Sequence, residues 1–479
     1  MPTSPTGLGT GTENRAAAEA EAALAGHPGV ARASVTREPG TGRLVARVVP
    51  RDPVAEDGDD RKRVDEWQLI YEWVYGELPE SGGLGENFVG WHSTYTGLPI
   101  ELAQMREWRD ATVERIRTLR PRRVLEIGVG TGLLMAKLAP SCEEYVATDF
   151  SATVIETLTG QVAADPALAD VTLHHREADD FSGLPENHFD TVVINSVVQY
   201  FPDIGYLADV LRQAAALVVP GGAVFVGDVR NLRLLRAFRA AVLADELAAA
   251  PEAARELVET SVLEEKELLV DPDFFPALAA TLPGIAAADV RLKRARHHNE
   301  LSRHRYDAVL RKAPAETVEP THTLAWDPAA LETLLSDVRP PSARITGVPN
   351  GRVARELAAL AKLDTGTAPA AVTAPDPEDL HEIGRRRGYQ AAVTWSADGP
   401  GLVDVVYAPD GEPVTVPAGT GTPGLPFTAY ANAPSRAAKT STFVAELRAY
   451  LAARLPAESV PHAFDTVESL PEGTGHADR

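Results

Sequence analysis

The chain has 479 residues, of which 44% are hydrophobic, and its 68 acidic against 46 basic side chains give a formal net charge of −22. This length predicts two or three folding units with ample core, and the negative charge argues against nucleic acid as a partner. The sequence lacks both the roughly 18 uninterrupted apolar residues of a membrane span and a secretory signal pattern, and its single cysteine cannot form an internal disulfide. We therefore expect a soluble, cytoplasmic protein that binds no membrane.

The N-terminal region predicts a leader followed by a helix and a hairpin. Residues 1–14 are mostly Pro, Thr, Ser and Gly without periodicity, which indicates a disordered leader. An alanine-rich run over Ala16–Leu24 predicts a helix, and strand-like runs over Val30–Thr36 and Leu44–Val49 flank a Gly-Thr-Gly turn. This unit, residues 15–55, is too small to fold alone.

A second domain is predicted over residues 65–312. It follows the acidic stretch Glu56–Asp60, which we interpret as a linker, and it opens with an amphipathic helix over Asp65–Tyr75. Strand-like runs then alternate with helical ones such as Tyr206–Val218. The predicted strands are Val124–Ile127, Tyr145–Asp149, Val171–His175, Thr191–Asn195, Ala223–Gly227, Val290–Arg294 and Tyr306–Leu310. Such alternation predicts an α/β fold with a mostly parallel sheet and helices on both faces.

The remaining residues predict smaller units. Residues 313–410 are interpreted as a small α+β accessory region, followed by a loop from Gly411 to Pro426 that is rich in Pro, Gly and Thr. The accessory elements are predicted helices at Pro328–Leu335, Arg352–Leu363 and Pro377–Gly388 and strands at Ala391–Ser396 and Leu402–Tyr407. The last region, 427–479, carries one predicted helix over Thr442–Leu455 and a polar tail.

A glycine-rich run follows the first strand of the predicted sheet. Gly128, Gly130 and Gly132 come directly after that strand and open a helix, which is where an open α/β sheet binds a nucleotide-like ligand. Glu126 precedes the run, and Asp149 ends the next strand 21 residues after Gly128, in place to accept both ribose hydroxyls. A plain tight turn is the alternative, which this context disfavours.

The spacing of the glycines separates two cofactor classes. A nicotinamide dinucleotide site has its third glycine three positions after the second, whereas this run is G-x-G-x-G with an acidic residue before it, as in methyltransferases, which it resembles. The sulfonium and amino groups of S-adenosylmethionine suit the carboxylates of Glu126 and Asp149. We therefore expect S-adenosylmethionine as the cofactor, with Phe150 in the same site.

The segment after the third predicted strand offers residues for the adenine ring. Asp179 or Asp180 is placed to accept a hydrogen bond from the adenine amino group, and Phe181 to support the edge of the ring. A solvated loop is the alternative interpretation.

The segment after the fourth predicted strand offers residues for the methyl acceptor. Asn195 lies at the carboxyl rim of the sheet, where such folds place reacting groups. Gln199 and Tyr200 are candidates for the acceptor pocket, although Tyr200 and Phe201 are alternatively core aromatics.

Other chemistries lack their motifs. The histidine pairs His174-His175 and His297-His298 point their side chains apart on a strand and have no nearby Cys or carboxylate pattern, so we predict no metal. The sequence also lacks a Gly-x-Ser-x-Gly elbow, a phosphate-binding Gly-Lys-Ser/Thr loop and a nucleophilic cysteine motif. Hydrolase and kinase functions are poorly supported.

Several segments together resemble the N-methyltransferase domains of nonribosomal peptide synthetases, over about Asp65 to Tyr407. They are Phe88–Gly97, Met105–Trp108, Asn195–Pro202, Val226–Arg230 and Asn299–Ser302. The resemblance implies a Rossmann-like class I S-adenosylmethionine-dependent methyltransferase fold. In this family the domain is typically inserted into the small C-terminal subdomain of an adenylation domain.

Both flanks resemble the two halves of that interrupted subdomain. The leading half matches Ala16–Val30, and the trailing half resembles Leu455–Pro471. Where the family continues with an Asn-Gly-Lys loop that supplies the adenylation lysine, this sequence reads Gly473-Thr474-Gly475-His476. The large adenylation subdomain is missing, so the resemblance implies a remnant without amino-acid activation.

The resemblance further implies a methyltransferase that acts in trans on an aminoacyl or peptidyl thioester, with a peptidyl carrier protein or synthetase module as its partner. Tyr200, Asn299 or Glu300 is expected to orient the acceptor amine, and Trp91 and Tyr95 to close over the cofactor as a lid. An α-amine, with a reference pKa of about 7.7–8.0, needs less help from a base than a phenol near 10, so the lack of an obvious histidine base favours nitrogen.

Two alternatives stay open at this point. The acceptor is a free amino acid or a hydroxyl on a small molecule, or the chain is a non-catalytic scaffold that docks to a synthetase. Glu300 is alternatively a surface charge. The sequence does not indicate the oligomeric state.

Overall fold

The computed structural model describes residues 9–37, 43–51, 59–76, 83–367, 374–411, 415, 425–434, 437–456, 459–467 and 470. Its strands are β1 (Val30–Arg37), β2 (Leu44–Pro50), β3 (Arg123–Ile127), β4 (Glu144–Asp149), β5 (Val171–His175), β6 (Phe189–Asn195), β7 (Val218–Arg230), β8 (Ile285–Leu292), β9 (Arg305–Lys312), β10 (His322–Ala325), β11 (Ala343–Pro349), β12 (Tyr389–Trp395), β13 (Leu402–Pro409) and β14 (Ala463–Thr466). Its α-helices are α1 (Gly9–Ala25), α2 (Asp59–Gly76), α3 (Leu102–Arg117), α4 (Met135–Leu138), α5 (Ala152–Ala164), α6 (Ile204–Leu217), α7 (Leu235–Val242), α8 (Ala244–Ala249), α9 (Pro251–Leu263), α10 (Phe274–Ala279), α11 (Glu300–His304), α12 (Pro328–Thr333), α13 (Ala354–Thr365), α14 (Pro377–Arg386) and α15 (Ala437–Ala452). Among the described residues, no helix has the length and apolar character that a membrane crossing requires.

Seven strands form the central sheet, in the order β5-β4-β3-β6-β7-β9-β8. The neighbours from β5 to β7 pair in parallel, and β9 runs antiparallel to both β7 and β8. Val192, Val193 and Ile194 of β6 are fully buried, as expected of a parallel strand that is covered on both faces. The predicted Rossmann-like α/β sheet is confirmed.

The largest differences from the predicted strand bounds are in β7 and β8. β8 begins at Ile285 instead of Val290, because Ala287 and Ala288 are buried and pair with β9 although alanine has little intrinsic strand preference. β7 begins at Val218, which was predicted to end the preceding helix, instead of at Ala223. Pairing with neighbours decides both bounds.

The order in which the chain adds strands to the sheet reverses beside β3, and this reversal positions the site. From β3 the chain adds β4 and β5 on one side and then β6 and β7 on the other. The carboxyl ends of β3 and β6 therefore border a crevice where an open α/β sheet binds its ligand. The glycine run, Asp149 and Asn195 follow β3, β4 and β6 respectively, so the fold brings them to one edge.

The accessory region forms a second sheet that shares the core of the first. Its strand order is β10-β11-β13-β12, and both predicted strands, β12 and β13, are present. Leu292 and Tyr306 of the central sheet belong to the same buried apolar cluster as Val393, Val405 and Tyr407 of the second sheet. The accessory region is therefore continuous with the core of the central sheet.

The two ends of the described chain form one small unit. β1, β2 and β14 make a three-stranded sheet in which Phe464 pairs in register with Ala46, and α1 and α15 supply Leu24 and Leu447 to its core. α1 begins at Gly9, inside the stretch predicted as a leader. The Gly473–His476 segment lies outside the described residues.

An ionic cluster joins this terminal unit to the central part of the molecule. Arg43 Nη1 lies 2.9 Å from Asp364 Oδ1, and Arg236, which binds the same carboxylate, also pairs with Glu259. Arg43 and Asp364 are both mostly buried, at 14% and 16% side-chain exposure. A buried ion pair is favourable only when its atoms are well aligned, more so than a surface pair. The terminal unit therefore has a defined orientation on the central part of the molecule.

Candidate functional site

Backbone hydrogen bonds hold the turn after β3 against β4. The N–H groups of Gly128 and Val129 both donate to the Thr148 carbonyl, at 2.8 and 2.9 Å. The N–H of Gly130 donates to Asp149 Oδ2 at 2.8 Å. The turn and the acidic residue of the next strand are thus one hydrogen-bonded structure.

Three glycines in this turn adopt left-handed backbone angles, with φ of 76°, 51° and 77° at Gly128, Gly130 and Gly132. A Cβ on Gly128 would lie 2.3 Å from Val197 Cγ2, so no side chain fits there. A Cβ on Gly132 would meet Leu158 at 3.1 Å, and this glycine lies under the turn instead of lining the cavity above it.

Two carboxyl groups are buried beside the turn. Asp149 Oδ1 accepts from the Ser151 N–H at 2.9 Å, and the Tyr145 hydroxyl donates to Glu126 Oε2 at 2.7 Å. Burial raises the pKa of Asp149 to about 6, against its backbone hydrogen bonds, and raises the pKa of Glu126 to about 8. Both carboxylates would be stabilised by a cationic ligand.

A cavity of about 360 Å³ lies along the carboxyl edge of the sheet, within the size range of ligand sites, about 300–1,000 Å³. The part over β4, β3 and β6, which we name the glycine end, is lined by Glu126, Gly128, Gly130, Asp149, Phe150 and Asn195. The part over β7 and β9, the charged end, is lined by Arg230, Arg239, Glu265, Glu267, His304 and Arg305. The strand order places the two parts side by side.

Helix α2 covers the glycine end with aromatic side chains. Trp67, Tyr71 and Tyr75 line the cavity, and the Tyr71 hydroxyl donates to the Tyr200 hydroxyl. Burial, followed by the charge of Glu267, raises the pKa of Tyr200 to about 12. Tyr200 therefore lines the cavity as a protonated phenol.

The segment before α3 covers another part of the cavity. Trp91 lines the cavity and packs on Trp108 with ring centroids 4.8 Å apart. Glu300 Oε2 accepts from the Thr94 N–H at 2.8 Å, and Oε1 accepts from the Thr94 hydroxyl at 3.0 Å. Glu300 is 8% exposed, so it is a buried anchor for this cover and the surface-charge alternative is wrong.

Other residues predicted for the site lie outside the cavity lining. Asn299 caps α11, accepting from the Leu301 and Ser302 N–H groups, and its amide donates to Gln104. Gln199 is 2% exposed beneath the cavity wall. Neither side chain is among those that line the cavity.

The predicted adenine segment is also beside the cavity. Asp179 and Asp180 are exposed, and Asp180 Oδ1 accepts from the Ser182 N–H and hydroxyl, as in a local turn. Phe181 packs against the main apolar cluster. Asp179 lies next to Tyr206, a lining residue whose hydroxyl pKa is raised by burial and by Asp179.

Tyr95, predicted as part of the lid, is held behind the cavity wall. Its hydroxyl donates to Glu356 Oε1 at 3.1 Å and lies 2.9 Å from His304 Nε2. Its ring packs edge-on against Phe238, a lining residue. Tyr95 thus supports the wall from behind.

Sequence reasoning missed the charged end. Arg230 pairs with Glu267 at 2.7 Å and with Glu265 at 3.0 Å, and Arg239 also binds Glu265, at 2.7 Å. Arg230 lies in a segment that carried the family resemblance, but a single sequence gives no signal that the two glutamates, which follow α9, reach it. Their position is a product of the fold.

Asp228 links the two ends of the cavity. It is fully buried, accepts from the Trp108 indole at 2.9 Å and the Ser196 hydroxyl at 2.9 Å, and pairs with Arg305 at 2.6 Å. Burial alone would raise its pKa, but Arg305 and Lys293 hold the pKa below its ordinary value. Asp228 is therefore a buried anion at the junction of β7 and the Asn195–Ser196 turn.

The residues of the glycine end fit S-adenosylmethionine. Each Asp149 oxygen accepts one backbone N–H and keeps a second lone pair for a ribose hydroxyl. Gly128 lets the ligand approach the backbone closely, and the two buried carboxyls match its cationic groups. In the described segments, no group of three or more His, Cys, Asp or Glu side chains is arranged to hold a metal ion.

Comparisons with known proteins agree with this geometry. A family model described as a methyltransferase domain matches residues 125–224. The chain is 37% identical to chondramide synthase cmdD of Chondromyces crocatus over 96% of this chain, and 39% identical over 95% of it to the probable non-canonical nonribosomal peptide synthetase CymA of Salinispora arenicola. It spans only 13% and 6% of the length of these two relatives.

Solved structures give a more distant likeness. The N-methyltransferase NodS of Bradyrhizobium japonicum, solved with S-adenosyl-L-homocysteine, is 16% identical with a TM-score of 0.27, covering 46% of this chain and 99% of NodS. The family match, the sheet order and the glycine turn carry the assignment of fold and cofactor. The chain therefore contains a methyltransferase domain on a Rossmann-like sheet, and over most of its length it is similar to segments of chondramide synthase cmdD and of the synthetase CymA.

Proposed function

We propose that the protein methylates the α-amine of an aminoacyl or peptidyl thioester held on a carrier protein, acting in trans and without activating the amino acid itself. The choice of a carrier-bound substrate follows the relative CymA, which is by name a probable non-canonical nonribosomal peptide synthetase. Action in trans, and the view of residues 15–55 and 427–479 as an adenylation remnant, rest on the family resemblance. A cytoplasmic location and a carrier or synthetase partner belong to the same proposal.

One observation favours nitrogen as the acceptor atom: the charged end presents carboxylates and no neutral-pH base among its buried residues. Burial, and then Arg303, lower the pKa of His304 to about 3, so this side chain is neutral and a weak base near pH 7. A phenol or alcohol acceptor needs a base with a pKa close to the working pH. An α-amine, with a pKa of about 7.7–8.0, is already partly neutral.

The chain's residues align the reactants and keep water out. S-adenosylmethionine, held at the glycine end, would supply an electrophilic methyl group for the new N–C bond and would keep the electron pair of the broken C–S bond on its sulfur. Asp149 and Glu126 compensate positive charge at the glycine end. Tyr71 and Trp91 close the cavity from the covering segments, which favours transfer because alignment and exclusion of water dominate such displacements.

The predicted acceptor residues take different parts in this proposal. Tyr200 keeps its proton, since its pKa is raised to about 12, and therefore serves as a hydrogen-bond partner for the acceptor instead of a base. Glu300 acts on the cover through Thr94. Asn299 acts through the cap of α11, and Gln199 through its carbonyl, which accepts from the Leu268 N–H.

The test is a transfer assay with labelled S-adenosylmethionine. A panel of amino acids is offered both free and as thioesters on separately purified carrier proteins, and mass spectrometry locates the label. We expect label on the α-nitrogen of the loaded forms, and much less of it with an Asp149→Asn variant at a limiting concentration of S-adenosylmethionine. Label on free amino acids or on hydroxyls would replace the proposal with small-molecule methylation, and cofactor binding without transfer to any acceptor would favour a scaffold.

A further inference from the structure

The loop after α9 is fixed against both the core and the C-terminal region. The Leu268 N–H donates to the Gln199 carbonyl at 2.8 Å, and the Leu269 N–H donates to Asn432 Oδ1 at 2.7 Å. The amide of Asn432 in turn donates to the Glu267 carbonyl at 2.9 Å. The backbone of Glu267 is therefore held next to the Gln199–Tyr200 turn.

The two glutamates of this loop differ in what remains of their hydrogen-bonding capacity. Glu265 is 5% exposed, binds Arg230 and Arg239 through Oε2, and accepts the Glu267 N–H through Oε1. Glu267 binds Arg230 through Oε2 at 2.7 Å and keeps 27% of its side chain exposed. Within the described part of the chain, its Oε1 has no hydrogen-bond partner.

Glu267 is one of the residues that line the charged end of the cavity. Its negative charge also raises the pKa of Tyr200, after burial, so the carboxylate and the phenol share one region. The backbone hydrogen bonds of the loop fix the position of Glu267, and the ion pair with Arg230 fixes its Oε2 and so orients the carboxylate. The other oxygen is left for a ligand.

We propose that Glu267 Oε1 accepts a hydrogen bond from the α-amine of the acceptor and so selects nitrogen substrates. This inference rests on the function proposed above. A neutral amine offers N–H donors to the carboxylate while its lone pair attacks the methyl carbon. After transfer the nitrogen carries positive charge that the carboxylate stabilises, and its surplus proton leaves to Glu267 or to water.

The ion pair with Arg230 orients the Glu267 carboxylate. The guanidinium of Arg230 engages Oε2, so Oε1 is the oxygen that can accept an N–H of the acceptor. A hydroxyl acceptor gains less binding energy from Glu267 than an amine does, because its single O–H proton would have to be donated to the carboxylate. The site thus discriminates by the number of donors on the acceptor atom.

The experiment measures binding of acceptor analogues, separately from turnover. The probes are N-acetylcysteamine thioesters of L-alanine, L-valine and L-phenylalanine and of the matching desamino acids, bound to protein saturated with S-adenosyl-L-homocysteine. We expect the wild type to prefer the amino form of at least one pair by ~10-fold, as for a hydrogen bond to a charged group. Glu267→Gln should remove most of that preference and leave the affinity for S-adenosyl-L-homocysteine unchanged.

The matched control is Glu256→Gln, which removes one exposed carboxylate from α9 outside the cavity lining. It should keep the wild-type preference. An amino preference in Glu267→Gln equal to that of the control, or no preference in the wild type, overturns the inference. If the wild type labels no α-amine in the transfer assay, the proposed function itself fails, so the two failures are distinguishable.

Discussion

The two ends of the cavity are built in different ways. The glycine end comes from two consecutive strand ends, and its geometry depends on backbone hydrogen bonds from Gly128 and Gly130. The charged end is assembled from the ends of β7 and β9 and the loop after α9, held by ion pairs such as Arg230–Glu267. A site of the first kind leaves a pattern in the sequence, whereas one of the second kind exists only in the fold.

The difference also affects stability. Backbone turns cost little once the sheet has formed, but a buried ion pair pays for desolvation, and removal of one partner leaves an uncompensated charge. Asp228, Arg305 and Lys293 are all buried around the charged end. Substitutions at the charged end should therefore mainly reduce the stability of the fold, and substitutions at the glycine end should mainly weaken cofactor binding.

The largest effect is expected from Asp228→Asn. The amide cannot balance the buried guanidinium of Arg305, and breaking such a pair costs about 3–5 kcal/mol. Urea denaturation should show a matching loss in the free energy of unfolding. Asp209→Asn, which alters an exposed pair with Arg212, should change stability by less than about 1 kcal/mol; equal losses in the two variants would contradict the account.

Gly128→Ala should abolish most cofactor binding. A left-handed backbone costs about 1–2 kcal/mol for a residue with a Cβ, and the collision with Val197 adds about 1–3 kcal/mol. Calorimetric titration with S-adenosyl-L-homocysteine measures the loss. Gly388 has the same φ of 76° but open space around it, so Gly388→Ala isolates the backbone cost and should bind normally. Normal binding by Gly128→Ala would show that the turn is not the cofactor site.

Asp149→Asn should weaken cofactor affinity by ~10- to 100-fold, since a hydrogen bond to a charged group contributes about 1.5–3 kcal/mol. The same titration measures it, with Asp170→Asn on the exposed strand connection as the control. Equal affinities for the two variants would remove Asp149 from the cofactor site.

Cofactor affinity should rise with pH. Ionisation of Asp149 and Glu126, whose pKa values are raised to about 6 and about 8, makes the glycine end more attractive to a cation, by at most about tenfold per pH unit for each proton released. Titrations at pH 5.5, 7 and 8.5 test this, and Glu126→Gln should remove the upper part of the rise. A flat profile in the wild type would contradict it.

The same two carboxyls should act on folding in the opposite direction. A raised native pKa means that their stabilising contribution is present below the unfolded values, about 4, and is lost as pH rises through about 6 for Asp149 and about 8 for Glu126. In the cofactor-free protein, Glu126→Gln should therefore gain stability relative to wild type near pH 8. No gain there would argue against a buried ionisable Glu126.

The sequence predicted the central sheet because its strands are continuous apolar runs, such as Val192–Ile194, whose burial on both faces gives a strong local signal. β10 and β14 were missed because they are only four residues long, and β11 was missed although it has seven residues and pairs with β13 further along the chain. Glu265 and Glu267 were missed because a single sequence gives no signal that they reach Arg230. Asn299, predicted for the acceptor, fits an ordinary helix cap.

The most direct test of the central claim compares an α-amino and an α-hydroxy acid of identical side chain, each loaded on the same carrier protein. The measured quantity is kcat/KM for methyl transfer from S-adenosylmethionine, with the product located by mass spectrometry. The account predicts methylation of the α-nitrogen and no detectable methylation of the α-oxygen. Equal methylation of the hydroxy acid would contradict it.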